Sequence, residues 1–420
     1  MKSLSKTEFV AFIGIDWADQ KHDICLQPAH SQQREFDQLR HRPDAIDAWV
    51  RSLKQRFHGP IAISLEIAHG PLVYALQKYD GLILFPINPT TLAKYRQAFT
   101  PSNAKDDPSD AELALEILLR YRDKLKALQP ESVAMRTLQR LVEERRGLVN
   151  DRVRITNQLT YALKQYFPQA LDWFNDKDTF VFCDFLSRWP TLKQAQHARK
   201  TTLETFFREH NVRYPAIIAK RLMAIKTATP LTNDVSVIRP HQLLVQALVE
   251  ELRVLLMAIE RFDAEIAALA PTLPDYALFQ ALPGAGPTYA PRLLAVFGEQ
   301  RARYQNAEAV QKYAGIAPVT ERSGKKHWTH WRWQCPKFLR QTFVEWAAET
   351  ITRSFWAGAF YHQQRDKGCS HQAALRALAF KWIRILYRCW QNQTPYDEAA
   401  YLNALKRRGS SLLNSLAQTS

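Results

Sequence analysis

The chain has 420 residues, 46% of them hydrophobic and 23% charged, which is the balance of an ordinary globular protein. Its 57 lysines and arginines outnumber 41 aspartates and glutamates, for a formal net charge of +16 at pH 7. The length predicts two or three domains, and the lack of a long apolar run argues against a membrane protein.

The positive charge favours a polyanionic partner, and nucleic acid is the first candidate. Five scattered cysteines without a CxxC pair argue against a zinc site or a disulfide framework. The first residues do not have the pattern of a signal peptide, so we expect a cytoplasmic protein.

The N-terminal part alternates predicted strands and helices. Residues 10–15 and 21–26 are rich in strand-forming residues and predict a hairpin, with Asp16 at the end of the first strand. A helix over 43–57 and a strand over 60–66 follow, and Glu66 ends that strand. Further elements are predicted at 72–78, 82–87, 91–99 and from 107 onward. This order predicts an α/β domain with a mixed sheet, and sites assemble at strand ends in such sheets.

Two more acids begin the next helix. Asp107 has the position of an N-cap, Pro108 follows it, and Asp110 lies on the same face of the first turn. Helix capping explains this pair, and a turn role explains Asp16. Alternatively, the carboxylates of Asp16, Glu66, Asp107 and Asp110 form a set of hard oxygen ligands suited to Mg²⁺.

The middle of the chain is predicted to be helical. Residues 133–166 form a long helix with many arginines, whose basic face is either solvated or in contact with nucleic acid. Residues 168–233 predict a small helical subdomain. From Leu248 to Leu269 the apolar residues follow heptad spacing, which fits either oligomerisation or antiparallel packing on the 133–166 helix.

The C-terminal third contains a second set of candidate residues. Leu282 to Ala290 resembles a helix-hairpin-helix element in which Gly284 and Gly286 allow close approach to a phosphate, or it is a tight turn between packed helices. Ser323 is predicted in a loop beside Arg322, Lys325 and Lys326. It is either a turn residue or a nucleophile whose alkoxide those cations would stabilise.

Aromatic and basic residues interleave after that serine. Three tryptophans, Trp328, Trp331 and Trp333, alternate with cations that could contact a nucleic-acid backbone; a tryptophan-rich core edge is the alternative. The basic residues are His327, His330, Arg332, Lys337 and Arg340. Helices are predicted over 340–356 and 373–390, followed by a frayed tail.

Taken in order, these motifs resemble those of DEDD-type insertion-sequence transposases, the IS one-ten and IS eleven-eleven family of bridge-RNA-guided serine recombinases. The resemblance covers most of the chain. Its N-terminal motifs are Gly14-Ile15-Asp16, Glu66 and Lys105-x-Asp107-x-x-Asp110-Ala111. Its C-terminal motifs are Leu282-Pro283-Gly284-x-Gly286, Tyr313 to Pro318, Ser323-Gly324 and Leu339-Arg340.

The resemblance implies three domains and a tail. Residues 1–125 would form an RNase H/RuvC-like domain whose four acids bind Mg²⁺, with Mn²⁺ as a substitute. Residues 126–272 would form a helical coiled-coil linker. Residues 273–408 would form a mostly α-helical transposase domain in which Ser323 attacks the scissile phosphate and becomes covalently joined to DNA. Residues 409–420 would be the tail.

The resemblance also implies the partners: donor DNA, target DNA and a structured bridge RNA that pairs with both. Homodimers would pair into a tetramer, with the acids of one chain beside the serine of another, in the bacterial cytoplasm or nucleoid. No membrane partner is expected.

Two departures from the family pattern stand out. Cys335-Pro336-Lys337-Phe338 replaces a more usual Gly-Asn before Leu-Arg, and Asp106 could compete with Asp107 as a ligand. Two other functions fit the same residues. One is a structure-specific nuclease that uses water as nucleophile, and the other is a non-catalytic nucleic-acid-binding protein.

Overall fold

A computed structural model describes residues 8–66, 70–99, 107–212, 214–324 and 326–413, with the backbone alone for residues 99 and 107–109. The predicted positions Lys105, Asp106 and Lys325 lie outside the described residues. The chain divides into two compact units, residues 1–130 and 131–420. The domain boundaries expected near 126 and 273 stay predictions.

Unit 1 is built on a five-stranded sheet with the order β3-β2-β1-β4-β5. The strands are β1 Ala11–Asp16, β2 Lys21–Pro28, β3 Glu35–Arg40, β4 Ile61–Leu65 and β5 Leu82–Pro86. The pairs β1–β2 and β2–β3 are antiparallel, whereas β1–β4 and β4–β5 are parallel. The predicted mixed sheet is therefore confirmed, but the prediction missed β3.

In the described residues of unit 1, four α-helices flank this sheet. They are α1 Pro43–Arg56, α2 Pro71–Gln77, α3 Pro89–Phe99 and α4 Asp107–Tyr121. The apolar residues of α1 and α2 pack on one face of the sheet, against the side chains of Ile13, Ile15 and Ile63. On the opposite face, Ala111 and Leu115 of α4 pack against Cys25.

Unit 2 is mostly helical. Its first long helix is α5 Val133–Tyr166, and the shorter helices that follow are α6 Gln169–Trp173, α7 Phe180–Arg188, α8 Leu192–His197, α9 Lys200–Glu209 and α10 Pro215–Thr227. The second long helix is α11 Val235–Leu269. The short helices surround an aromatic core that includes Phe167, Phe182 and Phe207. They form the small helical subdomain that was predicted over residues 168–233.

The two long helices of unit 2 pack against each other in antiparallel orientation. Arg145 of α5 pairs with Asp263 of α11, and Arg154, further along α5, pairs with Glu251, which comes earlier in α11. The two helices therefore run in opposite directions. Of the two explanations left open by the heptad spacing, the inward face of α11 therefore fits antiparallel packing.

The C-terminal part of unit 2 continues with helices and one short β-ribbon. The elements are α12 Tyr276–Gln280, α13 Gly286–Phe297, α14 Ala307–Tyr313, β6 Val319–Ser323, β7 Lys326–His330, α15 Lys337–Thr350, α16 Phe355–Asp366, α17 His371–Asn392 and α18 Glu398–Arg407. The side chains of Trp346, Trp356, Trp382 and Trp390 are fully buried in the core of this part.

Two predictions for this part were wrong. The single helix expected over 340–356 is two helices, because the chain turns at residues 351–353 and Ser354 becomes the N-cap of α16. The apolar spacing continues across this turn, which hides it in the sequence. Ser323 ends a strand and does not lie in a loop.

Candidate functional site

The first group of candidate residues lies at one end of the sheet in unit 1. Asp16 is the last residue of β1, and Glu66 directly follows β4. These strands are parallel neighbours in which Ile15 lies beside Leu65, so Asp16 and Glu66 come next to each other at the carboxyl ends of their strands. The structure therefore brings together the two acids that the sequence placed at strand ends.

Both acids lie on the face of the sheet that α4 covers. Gly14 lies directly against α4, and the Ser64 hydroxyl donates a hydrogen bond of 2.9 Å to the Ala114 carbonyl oxygen. Because side chains alternate along a strand, Asp16 and Glu66, each two positions further on, share that face.

The direction of α4 determines where its acids lie. Leu118, near its C-terminal end, packs with Phe9 and Ala62, whereas Ala111 lies against Gly14. The helix thus runs antiparallel to β1, and its first turn, which contains Asp110, lies towards the Asp16 end of the sheet. Asp107 is the first residue of α4, and its side chain is outside the described part of the structure.

Asp110 is buried, with 2% of its surface exposed, and is ion-paired with Arg96 of α3. The Arg96 Nε atom donates a hydrogen bond of 2.6 Å to Asp110 Oδ1. The guanidinium group neutralises a carboxylate that would otherwise be costly to bury. The sequence offered no signal for this partner, because Arg96 lies on a separate helix.

Asp23 is a further acid at this end of the sheet that the sequence analysis did not single out. It lies directly opposite Asp16 in the antiparallel β1–β2 pair and therefore on the same face. Its carboxylate accepts a hydrogen bond of 2.8 Å from the Gln38 amide, and the residue is buried. The hairpin register, which the sequence alone did not define, was the signal that could have revealed it.

The second group of candidates lies on the β6–β7 ribbon of unit 2. Ser323 is the last residue of β6 and lies directly opposite Lys326, while Arg322 lies opposite His327. Gly324 follows with a positive φ of 57°, as hairpin turns commonly require. All four paired residues are exposed, so the ribbon presents a hydroxyl and three basic side chains to solvent.

The remaining candidates lie beside the ribbon or at the start of α13. Trp331 packs against the guanidinium groups of Arg340 and Arg376, and Arg332 accepts a weak hydrogen bond from Arg340 at its carbonyl oxygen. The segment Cys335 to Phe338, which differs from the usual family pattern, spans the start of α15. Pro336 is the N-cap of this helix and Lys337 is its first residue.

The Gly-x-Gly element has the backbone that its glycines predict. Gly284 and Gly286 have positive φ values of 69° and 49°. A Cβ atom at Gly284 would lie 3.0 Å from Glu349 of α15, so this glycine allows close packing between helices. At Gly286 the corresponding space is open, which leaves the start of α13 accessible to a ligand.

Two family models match the chain. One, the DEDD transposase model of IS110 elements described as "Transposase", covers residues 13–168, and the other, "Transposase IS116/IS110/IS902 family", covers residues 276–362. The chain belongs to the IS110 family of DEDD transposases. The resemblance seen in the motifs is therefore confirmed, and the chain is a member of a family of DNA-transposing enzymes.

Relatives from streptomycetes are among those that match most of the chain. A protein of Streptomyces coelicolor named as the mini-circle transposase for IS117 is 27% identical over 413 residues, covering 92% of this chain and 95% of that protein. The 44.8 kDa protein of insertion element IS116 from Streptomyces clavuligerus is 27% identical over 365 residues, covering 83% and 87% respectively.

The acids of this IS110-family chain are chemically suited to a hard divalent cation, since all are carboxylates. In the described residues, however, no three acidic, histidine or cysteine side chains form a metal-binding group. Asp16 and Glu66 are two neighbouring carboxylates, and Asp110 is ion-paired with Arg96. The donor types fit Mg²⁺, and a cation that bound Asp110 would have to displace Arg96.

A buried histidine holds the loop that follows Asp16. His22 Nδ1 accepts a hydrogen bond of 3.3 Å from the Ala18 backbone N–H, and its Nε2 lies 2.9 Å from His41 Nδ1. Burial, and then the neighbouring His41, lower the pKa of His22 to about 4, while Asp23 acts in the opposite direction. His22 is therefore neutral at pH 7 and can accept the Ala18 hydrogen bond.

We predict that His22 makes unit 1 less stable in acid. The folded state binds a proton at His22 only near pH 4, whereas the unfolded chain binds it near pH 6.5. The contribution of neutral His22 to the free energy of unfolding is therefore complete above pH 6.5 and declines as the pH falls towards 4. The loss at pH 5 should be about 2 kcal/mol. Urea denaturation at pH 7 and pH 5 measures it.

The matched variant is His22→Gln, which removes this titration. The difference between its free energies of unfolding at the two pH values should be smaller than that of the parent protein by the same amount. Equal pH dependence in the two proteins would contradict the assignment.

Proposed function

We propose that this transposase cuts and rejoins donor and target DNA through a covalent bond between Ser323 and the scissile phosphate. The observation that carries the proposal is the side-by-side placement of Asp16 and Glu66 at one end of the sheet, on the face that α4 covers. The strand order and the acid positions support an RNase H/RuvC-like domain in unit 1.

The Asp16 and Glu66 carboxylates, with Asp107 and with Asp110 once Arg96 has released it, would hold Mg²⁺ or Mn²⁺. The bound cation would activate the attacking oxygen and stabilise negative charge on the phosphate. Asp23 has a positioning role in this proposal, because its buried charge beside Asp16 strengthens the local attraction for a cation.

The ribbon supplies the other part of the reaction. Ser323 Oγ would lose its proton and bond to phosphorus, and one DNA-end oxygen would leave with a proton. Attack by a DNA hydroxyl on the phosphoserine would then restore Ser323 and join two strands without ATP. The cationic side chains of Lys326 and Arg322 favour the charge that develops on the phosphate.

The ribbon also suits a nucleic-acid partner. A two-stranded ribbon fits the major groove of DNA, and the cations on this one are exposed. We propose that a structured bridge RNA supplies the sequence specificity, in line with the family and with the net charge of +16. The acids of one protomer would act with the Ser323 of another, which requires an oligomer.

Helix α11 carries a surface suited to that oligomer, which we name the outward seam. It comprises eight exposed residues at alternating spacings of four and three, the pattern of a coiled-coil interface. Leu243 and Val254 within it are 51% and 61% exposed. The members are Leu243, Ala247, Glu250, Val254, Met257, Arg261, Ala264 and Ala268.

The outward seam is complementary to itself when two copies run antiparallel. A twofold axis between residues 255 and 256 sets Glu250 of one copy opposite Arg261 of the other, and Val254 opposite Met257. Within the described residues neither Glu250 nor Arg261 forms an ion pair of its own. We propose that two protomers form a dimer through this seam, and that dimers pair into a tetramer.

The chemical proposal predicts that Ser323→Ala abolishes the covalent adduct. Recombination of a donor plasmid should fall on the order of a thousandfold or more, while DNA binding persists, because the variant lacks only the attacking oxygen. Denaturing gels of protein mixed with labelled DNA reveal the adduct. The control is Thr320→Val, at the far end of the same ribbon.

Persistent strand exchange by Ser323→Ala would refute the role of the serine. Hydrolysed DNA ends without an adduct in the parent protein would point to a nuclease that uses water. Tight, salt-sensitive binding without cleavage, unaffected by loss of the acids, would point to a binding protein.

For the acids, we predict that Arg96→Ala lowers stability without divalent cation, by roughly 3 kcal/mol, because Asp110 then remains buried and unpaired. Mg²⁺ should stabilise this variant more than it stabilises the parent protein, because in the variant the cation does not compete with Arg96 for Asp110. Thermal unfolding with and without Mg²⁺ measures both effects. An equal gain in stability from Mg²⁺ in the two proteins would exclude Asp110 as a ligand. The control variant is Arg120→Ala on α4.

The outward seam predicts a charge-reversal pattern. Glu250→Arg and Arg261→Glu should each raise the dimer dissociation constant about tenfold, because like charges then meet twice across the axis. The double variant should regain the parent value, as the charges are only exchanged. Analytical ultracentrifugation gives the constants, and Glu260→Arg, off the seam, is the control. Failure of the double variant to recover would exclude this register.

A further inference from the structure

An open cavity of about 880 Å³ lies between α17 and α18, C-terminal to the residues that the family models match. Its lining has five basic side chains and one acid. They are Lys381, Arg384, Arg388, Arg407, Arg408 and Asp397.

The cations of this cavity differ in their pairing from other basic residues of unit 2. In the described part of the chain, none of the five forms an ion pair with an aspartate or glutamate. Asp397 is engaged as the N-cap of α18, where its Oδ1 accepts a hydrogen bond of 3.0 Å from the Ala400 N–H. Arginines elsewhere in unit 2, such as Arg145 and Arg301, are paired with carboxylates. Like charges left unpaired on one helix face destabilise it slightly, so an anionic ligand would relieve a real cost.

Lys381 is held in place at the inner wall. Its ammonium group lies 4.2 Å from the centre of the Phe360 ring and 5.8 Å from that of Trp356. Burial, and then the nearby Arg384, lower its pKa. An anion in the cavity would offset both effects.

The spacing of the cations indicates the size of the ligand. Lys381, Arg384 and Arg388 follow one another at i, i+3 and i+7 and so share one face of α17. They extend over roughly 10 Å of the helix axis, further than a single phosphate group. Arg407 and Arg408 add charge from the opposite side.

We propose that the α17–α18 cavity binds the phosphate backbone of a nucleic-acid strand. The inference rests on the proposed function only in taking nucleic acid as the partner, and it is independent of the chemistry at Ser323. The backbone could belong to DNA or to RNA, which share the phosphate chemistry that the cavity recognises.

The test replaces two exposed cations, in the variant Arg384→Gln/Arg388→Gln of the full chain. Binding of labelled duplex DNA and of labelled single-stranded RNA is measured by fluorescence anisotropy over a range of salt concentrations, with no divalent cation, so that no strand is cleaved. The control is Arg208→Gln/Lys220→Gln, which removes the same charge from exposed positions elsewhere in unit 2. Arg384→Lys/Arg388→Lys keeps the charge and should retain binding.

If both side chains contact phosphates, the slope of log K against log salt should become shallower by about 1.8 for duplex DNA or about 1.4 for single-stranded RNA. Affinity should fall about tenfold at physiological salt. The probe that shows the change identifies the source of the backbone, and a change with both means that the cavity accepts either. Slopes and affinities equal to those of the control with both probes would overturn the proposal, whether or not Ser323 forms an adduct.

Discussion

The close contact between Gly14 and α4 is the constraint on which the acidic site depends. A Cβ atom at position 14 would lie 2.1 Å from the Ala111 carbonyl oxygen and 2.5 Å from the Leu115 nitrogen, so only glycine lets the helix rest on the backbone of β1. Ser64 stabilises the same contact, because its hydroxyl lies within hydrogen-bonding distance of both the Ile13 and the Ala114 carbonyl oxygens. With α4 fixed here, its first turn must lie at the sheet end where Asp16 and Glu66 emerge.

The positions of Asp16 and Glu66 were predictable because each ends a short apolar strand whose pattern is strong. The edge strand β3 was not, since Glu35, Asp37 and Gln38 make it polar. It is stabilised by pairing with β2 and by the ion pair of Glu35 with Arg56 on α1, and both contacts exist only in the folded chain. The same limit applies to Asp23 and Arg96, whose relation to the predicted acids depends on strand register and helix packing.

For the long helices, periodicity predicted the elements but could not decide which partner each face would meet. Helix α11 has two seams, and the inward one buries Leu248, Leu252 and Ile259 against its own chain. The arginines of α5 show the same ambiguity. Their basic face was expected to be solvated or to contact nucleic acid. It includes Arg145 and Arg146, which instead pair with Asp263 and Glu345 of the same unit. A carboxylate distant in sequence cannot be recognised from a local pattern.

These pairings affect where the net charge acts. The acids at the sheet end would repel a phosphate backbone, so attraction for nucleic acid has to arise elsewhere in the molecule. Many arginines are neutralised within the fold and contribute little to that attraction. The exposed cations of the β6–β7 ribbon and the cations of the α17–α18 cavity, which form no ion pair with an acid among the described residues, are not neutralised in this way. On the proposed function, charge thus draws a nucleic-acid substrate to unit 2, whereas unit 1 would accept a phosphate only together with a cation that offsets its carboxylates.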